Sequence, residues 1–98
     1  MLVKIHQSYR TIVAIADSDL LGRSFEEDKR EIKITENFFK GDEKNSKEVE
    51  ELIKEYSYED ATFNIVGEES ISIALKTGII KPEGIQKIRG IPVALVLL

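Results

Sequence analysis

The chain contains no cysteine. That removes disulfide bonds, zinc-thiolate centres and thiol nucleophiles at once, and it leaves a small fold to stand on packing alone. Histidine is nearly absent too. With His6 as the only imidazole, neither a multi-histidine metal site nor a Ser-His-Asp set with a free choice of base can be assembled. No apolar run approaches the roughly 18–20 residues that span a bilayer. The opening Met1-Leu2-Val3-Lys4-Ile5-His6 meets charge too early for a secretory h-region, so a cytoplasmic protein with no membrane partner is expected. An excess of basic charge is also missing. At a net charge of −4, strong direct binding to nucleic acid is not expected, because that needs a dominant basic field to release phosphate counterions.

What is present is ample material for one core. The 98 residues are 42% hydrophobic and 33% charged, the balance of a folded domain with a well-solvated outside rather than of a disordered segment. Residues 1–98 are therefore read as one small domain. A lean toward Ile, Lys and Glu with a single Met fits a heat-adapted source. Charge is unevenly spread: Asp42 to Asp60 carries eight acids against three bases, whereas Lys76 to Leu98 carries Lys76, Lys81, Lys87 and Arg89 against Glu83. Such a two-faced molecule can orient a partner, although a solvated helix face explains most such asymmetries in small domains.

Periodicity locates the elements. Val3 and Ile5 alternate with Lys4 and His6, the period of a strand with one face on a core. After the polar break Gln7-Ser8-Tyr9, the β-branched run Thr11-Ile12-Val13-Ala14-Ile15-Ala16 suits a strand buried on both faces, paired with the first as a hairpin. Asp17-Ser18-Asp19 can cap a short helical turn through Leu20 and Leu21, closed by Gly22. Glu26–Lys29 reads as a turn, Glu31–Thr35 as a third strand with Ile32 and Ile34 inward, and Gly41–Asn45 as exposed loop. Asn45 with Glu48 has the form of a capping box, and Val49, Leu52, Ile53 and Tyr56 make one apolar stripe, so a helix is expected over 46–57. Over Ala61–Val66 periodicity leaves both strand and loop open, with strand the expectation. Gly67 opens a second helix over 68–77, with Glu68 and Glu69 in its first turn, Lys76 in its last, Ile71, Ala74 and Leu75 as its buried stripe and Gly78 as its stop. Lys87-Ile88-Arg89 is a short strand before a turn at Gly90. Ile91–Leu98 holds no charged side chain, and residues 93–98 are expected as an interior strand, with Pro92 tolerated at its start.

No catalytic residue, metal site or cofactor is assigned. Asp17, Asp19, Glu26, Glu27 and Asp28 do not follow the spacing of a Ca²⁺ loop and serve better as caps and turns. His6 reads as a surface side chain. Phe38, Phe39 and Phe63 could stack bases only if exposed beside cations, and adjacent phenylalanines more often anchor a loop in the core. The strongest ligand candidate is the run Asn64-Ile65-Val66-Gly67-Glu68 into a helix start, where free amides can hold an anion and Gly67 permits close approach. Arg89 and Gly90 would complete such an anion pocket if the fold brought them to it. Against it stand the single glycine, which makes neither a P-loop nor a dinucleotide fingerprint, and two acids that repel phosphate. A tight turn packing helix on sheet is the competing reading.

Leu20-Leu21-Gly22 followed by Phe25, then Phe38-Phe39 with Gly41, Asn64-Ile65-Val66-Gly67-Glu68, and Gly90-Ile91-Pro92 together resemble an archaeal family of uncharacterised proteins, domain of unknown function number 424. The resemblance runs nearly end to end, with Ile71, Ala74 and Gly78 also in place. It implies a small mixed α/β protein of archaeal cytoplasm and brings no activity with it. The chain departs from the family pattern at Val93, where many relatives carry histidine, which lowers the case for an enzyme.

The expected architecture is α+β: one small domain with a mostly antiparallel sheet of about five or six strands and two helices packed on one face, since each has a single apolar stripe. The expected function is a non-catalytic binding module, accessory to translation or another RNA-protein assembly, with a protein or ribonucleoprotein partner. The alternative is a small anionic ligand, or an enzyme acting on one, at the Asn64–Gly67 turn.

Overall fold

The computed structural model describes residues 1–98. Its main sheet has six strands, in the spatial order β5-β1-β2-β6-β8-β7. Strands β1 (Leu2–Gln7) and β2 (Thr11–Ala16) form the expected hairpin, Leu2 opposite Ala16 and Gln7 opposite Thr11. Strand β6 (Thr62–Val66) lies parallel to β2, and every other neighbouring pair is antiparallel. Strand β8 (Ile91–Leu97) follows β6, and β7 (Gln86–Ile88) ends the sheet. At the other edge the two residues of β5 (Asp42–Glu43) pair with Val3 and Leu2. A separate hairpin, β3 (Ser24–Glu27) with β4 (Arg30–Lys33), lies outside this sheet.

Helices α2 (Ser46–Ser57) and α3 (Glu68–Thr77) cover one face. Asn45 and Glu48 cap α2 reciprocally: the Asn45 side chain accepts from the Glu48 amide at 2.9 Å, and the Glu48 carboxylate accepts from the Asn45 amide at 3.0 Å. Val49 and Ile53 from α2, and Ile71 and Ala74 from α3, pack on Val13, Ile15, Phe63, Ile65, Ala94 and Val96 of the sheet. Side chains buried as fully as Phe63, Ile15 and Ile65 contribute about 1.5–3 kcal/mol each through removal from water. Helix α3 ends at Gly78 with φ +83°, the left-handed stop expected of glycine there.

The opposite face is covered over only part of its area. Ala14, Ala16 and Val66, small side chains, let Leu20, Ile34 and Phe39 pack directly against the strands. These come from a 3-10 turn at Ser18–Leu20, the end of the β3–β4 hairpin and the four-residue helix α1 (Glu36–Phe39). Gly41 crosses the edge of β1 so closely that a β-carbon there would lie 2.1 Å from the Val3 carbonyl oxygen.

The α+β architecture, the mostly antiparallel sheet and the placing of both long helices on one face agree with the sequence reading. Four local expectations need correction. Glu26 and Glu27 are strand, and the turn shrinks to Asp28 and Lys29 with Asp28 at φ +56°, because Glu26 and Glu27 pair with Glu31 and Arg30 of β4. Asp42 and Glu43 are strand rather than loop, drawn onto the open edge of β1. Leu75 is exposed, the α3 stripe running through Ser70, Ile71 and Ala74 instead. Strand β8 is interior only at its start: β7 pairs with Ile91, Pro92 and Val93 and no further.

Candidate functional site

The five sequence-proposed ligand residues lie on three elements: Asn64 in β6, Gly67 and Glu68 at the start of α3, and Arg89 and Gly90 in the turn between β7 and β8. Gly67, with φ +110°, is the N-cap of α3 and offers no side chain to its free amides. Those amides are nonetheless occupied. The carboxylate of Asp17, 53 positions from Ser70 in sequence, accepts from the Ser70 amide and the Ser70 hydroxyl through Oδ1, both at 2.8 Å. Its Oδ2 accepts from the Glu69 amide at 3.1 Å. Asp17 sits at the end of β2 and its own amide donates to the Val66 carbonyl at 3.1 Å, so the parallel β2–β6 pairing aims its side chain at the start of α3. A negative charge at a helix N-terminus satisfies unpaired donors and complements the helix dipole. This chain supplies that anion from within. Asp17 does not cap the 3-10 turn that follows it, as the local pattern suggested.

Asn64 is elsewhere. Phe63 and Ile65 point into the helix-side core, so Asn64 between them lies on the other face of β6, with Ala14 and Leu95 as its cross-strand neighbours. Arg89 and Gly90 form the two-residue turn between β7 and β8, with φ +54° and +78°, the pattern of a type I′ hairpin turn. The same strand pairing carries Pro92 to Gly67, whose amide donates to the Pro92 carbonyl at 3.0 Å. Arg89 itself is held by the β3–β4 hairpin: its Nε donates to the Glu26 carbonyl at 2.8 Å and its amide to the Glu27 carboxylate at 3.0 Å. Val93 packs against the second core cluster.

His6 is similarly engaged. Its ring stacks on Phe38 with centroids 4.8 Å apart, and Nε2 lies 2.9 Å from the Phe38 carbonyl. A carbonyl only accepts, so the ring proton belongs on Nε2. Lys4, Lys40 and Lys44 line a cleft of about 310 Å³ with Asp42, but the Lys4 ammonium already donates to the Asn37 carbonyl at 2.7 Å. Glu50 on α2 accepts from Lys76 on α3 at 3.0 Å and from Lys54 at 3.2 Å, and these two ammonium groups, Lys76 first, hold its pKa below the ordinary 4.5. It ties the two helices together.

The surface that remains open is the end of the sheet that neither layer covers. Leu95 and Leu97 of β8 are 59% and 71% exposed, on the face where Asn64 and Thr62 are half-buried and where the hairpin and α1 do not reach. Beside them, a groove of about 460 Å³ runs between Leu95-Val96-Leu97 and the segment Ile79–Gly84. Sequence reasoning took the charge-free run Ile91–Leu98 as wholly covered. The signal for the open end was present in that run, but only the shortness of β7 exposes it.

The chain matches the family model DUF424, "Protein of unknown function", over residues 5–98. The chain belongs to the DUF424 family. This DUF424 chain is also similar to a solved structure, "an uncharacterized conserved protein from Methanopyrus kandleri", at 27% identity and a TM-score of 0.77, over 98% of this chain and 90% of that one. No curated protein matches it. No helix of this DUF424 chain is long and apolar enough to cross a membrane.

Proposed function

We propose that this DUF424 protein is a non-catalytic binding module, an accessory to translation or another RNA-protein assembly that is recruited through a protein partner rather than by gripping RNA. The single observation that supports this reading is the uncovered sheet end, where Leu95 and Leu97 stand exposed beside a mainly apolar groove that also carries Lys81 and Glu83. Contiguous exposed apolar surface on a small domain is characteristic of a protein-docking site. The groups that chemistry would draw on are meanwhile spent on structure: His6 on Phe38, Asp17 on the start of α3, and Arg89 on the β3–β4 hairpin. The alternative, an anionic ligand at the Asn64–Gly67 turn, requires that ligand to displace Asp17 from the Glu69 and Ser70 amides.

The test is affinity capture from a native lysate of the source cells at low salt, with and without nuclease, comparing the wild-type chain with Leu95→Glu. The expected result is a protein retained by the wild type, insensitive to nuclease, and lost with Leu95→Glu. Absence of any specific capture, or capture that Leu95→Glu leaves unchanged, overturns the reading.

A further inference from the structure

The backbone of β8 carries an observation independent of its side chains. Along a strand, the N–H and C=O of one residue point to the same neighbour and those of the next residue to the other. The Pro92 carbonyl is turned toward Gly67 at the end of β6. By alternation Ala94 and Val96 also face β6, whereas Val93, Leu95 and Leu97 face the outer edge. Val93 has Gln86 of β7 opposite it. Leu95 and Leu97 have no strand opposite them, because β7 begins at Gln86 and the preceding chain is drawn away into the 3-10 turn Pro82–Gly84.

Proteins ordinarily guard such an edge with charge, proline or a bulge. The other edges here follow that rule: β5 is Asp42-Glu43, β7 contains Lys87, and β3 and β4 carry Glu26, Glu27, Arg30, Glu31 and Lys33. The stretch Ala94-Leu95-Val96-Leu97 carries no charge of its own; the charges nearest its edge are Lys81 and Glu83, one of each sign, on the far wall of the groove. What satisfies a row of free amides and carbonyls is another extended strand, and a groove of about 460 Å³ lies along this edge.

We infer that the occupant is β8 of a second copy of this chain, paired antiparallel across a two-fold axis at Val96, so that the two main sheets join into one. The inference concerns the edge of β8, whereas the binding-module reading concerns its exposed face. A two-fold axis at Val96 places Leu95 opposite Leu97 of the second copy and Leu97 opposite Leu95 of the second copy. Both are positions whose N–H and C=O point outward, so each pair exchanges both of its hydrogen bonds. An axis at Leu95 would instead drive Leu97 onto Val93, which β7 already holds. The charge pattern suits a like partner: two uncharged strands meet without repulsion, and the acidic surface of α2 stays on the helix side of the sheet. The joined sheet also sets the leucines of both copies side by side on one face, extending the surface assigned above to a partner.

The experiment measures self-association of the full chain by sedimentation velocity over a wide concentration range, for wild type, Leu97→Ala and Leu97→Pro. Proline removes the outward N–H and breaks no bond to β6, whereas alanine removes only the side chain. A reversible wild-type dimer is expected, weakened by Leu97→Pro roughly 30-fold through two symmetry-related hydrogen bonds, and by Leu97→Ala distinctly less. Amide hydrogen exchange on the wild type gives a second readout that needs no variant. Protection of the Leu95 and Leu97 amides rises with protein concentration, while that of Ala94 and Val96 is high throughout. A wild-type chain that stays monomeric at millimolar concentration overturns the inference, as does a dimer in which the Leu95 and Leu97 amides still exchange freely. A monomer that captures a partner through Leu95 leaves the binding-module reading standing, and a dimer with no capture separates the two in the other direction.

Discussion

Replacing Asp17 by alanine tests whether the long-range cap on α3 is a principal support of the fold. The substitution removes three hydrogen bonds. Two of them come from Ser70, which is wholly buried, so its amide and hydroxyl are left without water or protein partners. Each such orphaned donor costs about 1–1.5 kcal/mol. The Glu69 amide lies nearer solvent and regains water, so its loss adds about 0.5 kcal/mol. The favourable meeting of carboxylate and helix N-terminus goes too, offset by the desolvation that a buried carboxylate no longer requires. The expected total is about 3 kcal/mol, which for a chain of this size lowers Tm by roughly 12–24 °C. Urea unfolding with an unchanged m-value is the assay. Ser70→Ala, which deletes a donor together with its need for a partner, should cost about 1 kcal/mol or less. The double variant should fall short of the sum of the singles, because both act on the same bonds. A loss below about 1 kcal/mol for Asp17→Ala would show that water replaces the carboxylate at no great cost and refute the reasoning.

Two further outcomes follow from the same packing. In Gly67→Ala, the new methyl would lie 2.2 Å from Cγ of Asp17 at a residue with φ +110°, so backbone strain and expulsion of the cap combine to cost roughly 3 kcal/mol; a variant with wild-type melting behaviour would contradict this and return the turn to candidacy as a ligand site. Glu50, whose folded-state pKa is lowered by Lys76 and Lys54, contributes stability that is complete above the unfolded carboxyl's ordinary value and is lost as pH falls through the lowered one. The Tm difference between wild type and Glu50→Gln should therefore be present at neutral pH, shrink in acid and diminish with salt; a difference constant with pH would argue against the ion pairs.

Where residues act on their immediate neighbours, the amino-acid pattern was legible. The capping box of Asn45 and Glu48, the Val49–Ile53 stripe, the β1–β2 hairpin and the glycine stop at Gly78 all appear as read. Each depends on contacts within a few positions along the chain, which periodicity and residue chemistry report directly. Ala74 was read correctly and Leu75 was not, because both are apolar and adjacent on α3 and only the position of the sheet leaves Leu75 outside.

The candidate sites depended on what came from far away. The glycine, the acids and the free amides at 67–70 are visible locally as a helix start that could receive an anion. That the anion is Asp17 follows only from the parallel pairing of β2 with β6, which no local pattern encodes. The charge-free run Ile91–Leu98 likewise determined by itself that β8 would be a strand, since an uncharged β-branched and leucine-rich segment gains most from burial in a sheet. How much of it is covered was decided by the length of a different strand. With β7 beginning only at Gln86 and the second layer reaching only as far as Ala14 and Val66, the last outward hydrogen-bonding positions of β8 stay open, because coverage is a property of the neighbours in space rather than of the strand itself.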